Sequence, residues 1–137
     1  MQSALRAILA FCIVSTGVHY AHNFVEIDQY PPSDLVSDDV TQAAILVSWP
    51  LLTAIGILGY VRYAQGRFRA AHASLIAYSF TGLITIGHFA DGNPDIPAFF
   101  YATIFTDFIA GVAVLAFVYR SARGPHSAPV LTRRYGG

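Results

Sequence analysis

Apolar residues run nearly unbroken through four stretches of the chain, roughly 5–25, 43–63, 70–90 and 98–119. Each has about the 20 residues that a helix needs to cross a hydrocarbon core of about 30 Å. Formal charge enters these stretches only at Arg6 and Arg62, near two ends, and at Asp107. The pattern predicts an all-α fold, a four-helix transmembrane bundle. Short connections predict an up-down-up-down order. Residues 1–120 then form one membrane domain, and 121–137 a loose tail of Gly, Pro, Ser and Arg.

The polar residues inside the runs recur at helical spacing. In the first run Cys12, Ser15, His19, His22, Glu26 and Gln29 alternate steps of three and four, which predicts a helix reaching about Tyr30 before Pro31-Pro32 stops it. Trp49, Thr53, Gly56, Tyr60 and Tyr63 mark the second. Ser74, Tyr78, Thr81, Thr85 and His88 mark the third. Thr103, Asp107 and Gly111 mark the fourth, beside a small-residue stripe of Ala102, Thr106 and Ala110. Trp49-Pro50 reads either as a kink or as an interfacial anchor. Ser37, Asp38 and Asp39 read as the cap of the second helix rather than as a calcium loop, because no EF-hand spacing is present. Pro97 suits the first position of the fourth helix.

Composition agrees with the pattern. The chain has 137 residues, 55% of them hydrophobic and 12% charged, with mean hydropathy +0.51. A soluble domain carries about 25% charged residues. Net charge is zero, but the signs are segregated. The arginines fall at 6, 62, 67, 69, 120, 123, 133 and 134, and the loop carboxylates at 26, 28, 34, 38, 39, 91 and 95. The positive-inside rule therefore places both termini in the cytoplasm and the acidic loops outside. Nucleic acid is not needed to explain the basic tail; contact with membrane lipids is enough. Arginine without lysine suggests a GC-rich genome and so a bacterial cytoplasmic membrane. Met1–Gly17 has the outline of a cleavable leader, but the apolar pattern continues past Gly17, which favours an uncleaved first span. The one cysteine, Cys12, excludes an internal disulfide.

Polar stripes turn inward because lipid offers them nothing. Counting from the outer boundary, His22 and His88 lie just below the surface, His19 about 9 Å deep and Asp107 about 13 Å deep. Glu26 sits at the rim. The other half of the bundle holds Ser74, Tyr78 and Tyr60 and nothing charged. A conduction path needs polar steps through both leaflets, so a channel or pump is disfavoured. The expected site is an outer-leaflet pocket that binds a metal ion or cofactor and acts on a lipid-like or other hydrophobic small molecule. His19, His22 and His88 would be ligands for Fe, Zn, Mn or Cu. Asp107 would be a ligand or base, and Glu26 a rim ligand or orienting group. Trp49, Thr85 and Thr103 would contact a bound cofactor. Haem between two histidines, with Gly17 and Gly87 making room, is a weaker expectation because it leaves the acids unexplained. The outer aromatics read mostly as an interfacial belt. The competing expectation is a non-catalytic accessory or assembly subunit, within an oligomer or larger complex, whose polar cluster only fixes helix packing.

Overall fold

The computed structural model describes residues 1–32, 36–90 and 92–124. Four helices are long and apolar enough to span a membrane, and no strand occurs among the described residues. They are α1 (Gln2–Val25), α2 (Asp38–Ala64), α3 (Phe68–Leu83) together with the 3-10 segment that carries it on to Phe89, and α4 (Ala98–Ala122). Helix α1 packs on α2 and α4, and α3 packs on α2 and α4, while the α1–α3 diagonal barely touches. Asp34, Asp91 and the tail beyond Gly124, with its arginines, lie outside the described residues.

One end is sealed by hydrocarbon. Leu5, Leu9, Leu75 and Val114 are buried there with Tyr63, Ala71, Phe117 and Val118. The start of α1, the end of α2, the start of α3 and the end of α4 thus meet in one apolar cluster. Around it Arg62 donates to Ser74 Oγ at 2.7 Å, and His72 Nε2 lies 3.0 Å from Ser121 Oγ. That end is therefore more polar at its rim than hydropathy implies.

One expected helix ends early, and another keeps its length but changes its winding. Helix α1 stops at Val25, where Glu26 leaves helical geometry at φ −115° and ψ 46°, and a 3-10 turn follows over Ile27–Gln29. The predicted continuation to Tyr30 is corrected accordingly: Glu26 and Gln29 are off the α1 face and bond each other at 3.0 Å. The third span is α-helical only to Leu83 and tightens to 3-10 over Ile84–Phe89. Its threonines explain part of this. Thr81 and Thr85 turn their hydroxyls back onto the Tyr78 and Gly82 carbonyls at 2.7 and 2.6 Å, competing with the helical ladder. In the tighter spiral residues three apart eclipse, so Thr85 and His88 share a face.

The buried stripe of α1 is Leu5, Leu9, Cys12, Thr16, His19 and Asn23. It also alternates four and three, but its phase differs from the expected stripe beyond Cys12. Ser15 and His22 consequently sit at its edge. In α4 the buried side carries Thr103, Asp107, Ala110 and Gly111, and Ala102 of the parallel stripe is exposed. Ser37 occupies the cap position of α2 but makes no side-chain cap bond among the described residues.

Trp49 faces α1. Its indole N–H donates to Thr16 Oγ1 at 3.1 Å and its ring covers Gly17, where a Cβ would come within 3.0 Å. It is a packing residue as well as an amphipathic one. Because it is the sole tryptophan, it reports on this joint. Thr16→Val should shift its emission to shorter wavelength and cost about 1 kcal/mol of stability in detergent. An unchanged spectrum would mean the bond is absent in solution.

Candidate functional site

Helix geometry places side chains four apart on one face. Helix α1 presents His19 and Asn23 in this way, and α4 presents Thr103 and Asp107. The 3-10 segment adds His88 from a third direction. His19 and Asp107 are fully buried. His19 Nδ1 lies 3.0 Å from Thr103 Oγ1 and 3.4 Å from Asp107 Oδ2. His19 Nε2 lies 3.1 Å from His88 Nε2, and the two rings stack at 5.1 Å. Asn23 Nδ2 approaches the same His88 nitrogen at 3.2 Å.

Asp107 is anchored from below. Ser15 donates its hydroxyl to Asp107 Oδ1 and also lies 3.0 Å from Thr106 Oγ1. Among the described residues Asp107 Oδ2 makes no hydrogen bond, and it faces His19. The order is thus carboxylate, imidazole, imidazole, from a sealed interior to the mouth. Such a series holds His19 in one orientation and can hold or pass a proton at His88.

His88 is half-buried and borders two cavities. One, of about 160 Å³, is lined by Asn23, Tyr30, Pro31, Asp38, Thr41 and His88. The other, of about 490 Å³, lies between α1, α2 and the 3-10 segment, with Tyr20, Ala44, Ser48, Ile84 and Thr85 among its walls. Ile84 is 66% exposed, so this second space opens sideways rather than only along the bundle axis.

Tyr30 roofs the cluster. Its ring stands 4.8 Å from that of His88 and its hydroxyl 3.1 Å from His22 Nδ1. The roof is tied down where the Asp95 N–H donates to the Gln29 carbonyl at 2.9 Å. Burial, and then the charge of Asp107, push the Tyr30 phenol up to about 12. The folded state therefore holds this proton more tightly than the unfolded chain, whose phenol titrates near 10. The stabilisation is complete below about pH 10 and is lost between about 10 and 12. Tyr30→Phe should flatten that part of the stability profile, which denaturation followed across alkaline pH would reveal.

The expected site residues divide. His19, His88, Asp107 and Thr103 come together. His22 is close in sequence but turned aside, stacked on Phe100 at 3.7 Å and bonded to Tyr30. Glu26 is occupied by Gln29 at the rim. Thr85 spends its hydroxyl on the Gly82 and Ile104 carbonyls, and Trp49 is held by Thr16. Among the described residues no three His, Cys, Asp or Glu side chains are grouped so as to hold a metal. As placed, His19 and His88 do not flank a haem, because their Nε2 atoms lie 3.1 Å apart, and the ring of Trp49 covers Gly17. Asn23 is not singled out by sequence, and Tyr30 reads there only as one of the outer aromatics and the end of the first helix. Extending the α1 spacing backwards from Cys12 to Leu9 and Leu5 would have set the phase that buries Asn23. No sequence signal marks Tyr30 as a roof.

No family model matches this chain, and neither a curated protein nor a solved structure does.

Proposed function

We propose that this is an up-down-up-down integral membrane protein, with cytoplasmic termini, whose outer mouth binds an amphipathic small molecule. The meeting of alternate helix ends in the Leu5–Tyr63–Ala71–Val118 cluster supports the topology. So does the division of charge, with Arg6, Arg62, Arg67, Arg69 and Arg120 near that end and Asp28, Asp38 and Asp95 near the other. A bacterial cytoplasmic membrane remains the setting that arginine usage suggests.

The observation that carries the ligand reading is the position of His88. It stands where a cavity of mixed polar and apolar lining meets a sideways, mostly apolar one, and it is backed by His19 and Asp107. An apolar tail fits the lateral space and an oxygen-bearing head meets His88 and Asn23. Pockets of this mixed kind, mostly apolar with a few convergent polar groups, are typical of small-molecule sites. Any chemistry on the head would be acid–base, with His88 in contact and Asp107 acting through His19.

A photoactivatable long-chain alcohol tests the reading. It should crosslink near Ile84 and His88, and Ser48→Trp should remove most of that labelling by filling the lateral cavity. Labelling spread evenly over the lipid-facing surface, and indifferent to Ser48→Trp, would overturn it. A second reading has its own support. The hydroxyls of Ser15, Thr16, Thr85, Thr103 and Thr106 are all bonded within the protein, as a purely structural cluster requires. That non-catalytic reading predicts even labelling and a large loss of stability in His88→Leu.

A further inference from the structure

We propose that His19 Nε2, His88 Nε2 and the side-chain oxygen of Asn23 form a binding site for one divalent first-row transition metal, of the zinc class. The inference rests on the reading of the outer mouth as a binding site and names what the ligand's head would meet there.

Hydrogen placement leads to it. Thr103 has one hydroxyl hydrogen and donates it to the Phe100 carbonyl at 2.6 Å. Its oxygen must then accept from His19 Nδ1 at 3.0 Å. With the proton on Nδ1, the Nε2 of neutral His19 is a bare electron pair, and it points at His88 Nε2. If Asn23 donates its N–H to His88 Nε2, that nitrogen is a bare pair too. Two lone pairs then face each other at 3.1 Å, and Asn23 Oδ1 is buried with no hydrogen-bond partner among the described residues. If the amide is turned over, the His88 N–H satisfies both neighbours but the amide nitrogen is stranded instead. Either arrangement of neutral groups leaves a buried polar atom unpaired, and Asn23 is only 6% exposed.

A cation at the centre gives both imidazole nitrogens and the amide oxygen one shared partner, with only the amide nitrogen left as in the neutral overturned arrangement. Imidazole nitrogens bind zinc at about 2.0–2.1 Å, so two of them at a tetrahedral metal stand about 3.3 Å apart. The observed 3.1 Å needs only a small adjustment. The overturned Asn23 amide supplies oxygen as the third donor. Thr103 accepts the His19 Nδ1 proton and fixes the ring, while Asp107, held by Ser15, sets its Oδ2 3.4 Å from the same nitrogen and places a negative charge behind the imidazole. The same charge offsets that of the ion. The fourth position faces the cavity beneath Tyr30, open to water or to an oxygen of the bound head group.

The test uses the full chain in detergent, stripped with chelator and titrated with Co²⁺ and then Zn²⁺. One Co²⁺ per chain should bind with a tetrahedral ligand-field spectrum, and Zn²⁺ should displace it. His88→Ala should weaken binding more than tenfold, and Asp107→Asn about tenfold or more. Asn23→Asp should tighten it, because a carboxylate replaces an amide. His22→Ala should change nothing. Failure to bind Co²⁺ or Zn²⁺ would overturn the proposal, as would binding that survives His88→Ala. His22→Ala guards against a fold effect, since it alters the same mouth without touching the donors. Crosslinking of the long-chain alcohol in chelator separates the two ideas. Specific labelling without metal binding removes the metal site alone; metal binding with even labelling removes the amphipathic-ligand reading instead.

Discussion

Replacing His19 by alanine should lower unfolding stability in detergent by about 3–5 kcal/mol. The side chain is fully buried, so its removal opens a cavity that its neighbours fill only in part. It also strips Thr103 of its partner on α1 and leaves Asp107 held there by Ser15 alone, with Oδ2 facing nothing. An unpaired carboxylate inside a bundle is among the costliest defects a substitution can produce. His19→Gln, which keeps some hydrogen-bonding capacity, should recover part of the loss. His22→Ala, one turn away on the half-buried edge, should cost far less. Unfolding from mild detergent into SDS, followed by Trp49 fluorescence, measures all three. Equal losses for His19 and His22 would show that the polar contacts across α1 and α4 are not what holds the helices together.

Gly82→Ala should be comparably damaging, by about 3 kcal/mol, for a reason that involves no polar chemistry. A Cβ at Gly82 would run into the carbonyl oxygen of Asp107 on the facing helix. Gly111 is the reciprocal case, with the Ser79 carbonyl 2.8 Å from where its Cβ would stand. Backbone meets backbone here, so no rotamer change can relieve the collision and α3 must retreat from α4. That retreat would carry away the 3-10 segment and with it His88. The variant should therefore also weaken alcohol crosslinking, or metal binding, although it touches neither ligand. Gly87→Ala is the control: open space surrounds that position, and its stability should stay within about 1 kcal/mol of the parent.

The four spans were legible because a membrane helix is specified by length and apolarity, and both are linear properties of sequence. Depth was legible for a similar reason. Counting at a fixed rise placed His19, His88 and Asp107 in one half of the bundle, and in the structure they touch. Phase was less legible. Cys12, Ser15, His19, His22 and Cys12, Thr16, His19, Asn23 obey the same spacing rule, and polarity favoured the wrong one. The smaller hydroxyls and Asn23 won the interior because Leu5 and Leu9 had already turned that side inward. Helix endings were the least legible. Glu26 leaves the helix before the prolines, and threonine back-bonding tightens Ile84–Phe89. Both departures decide the site, since one frees Tyr30 to fold over the histidines and the other turns His88 toward them.

The hydrocarbon plug of Leu5, Leu9, Leu75 and Val114 has an electrical consequence. A charge taken up at His88 arrives from the near solution and travels only a small fraction of the way through the insulating layer. Moving one elementary charge across the whole layer is worth about 2.3 kcal/mol per 100 mV, and occupancy of the cluster experiences little of that. Under the proposed membrane placement, the cluster would equilibrate with one compartment and be nearly blind to voltage.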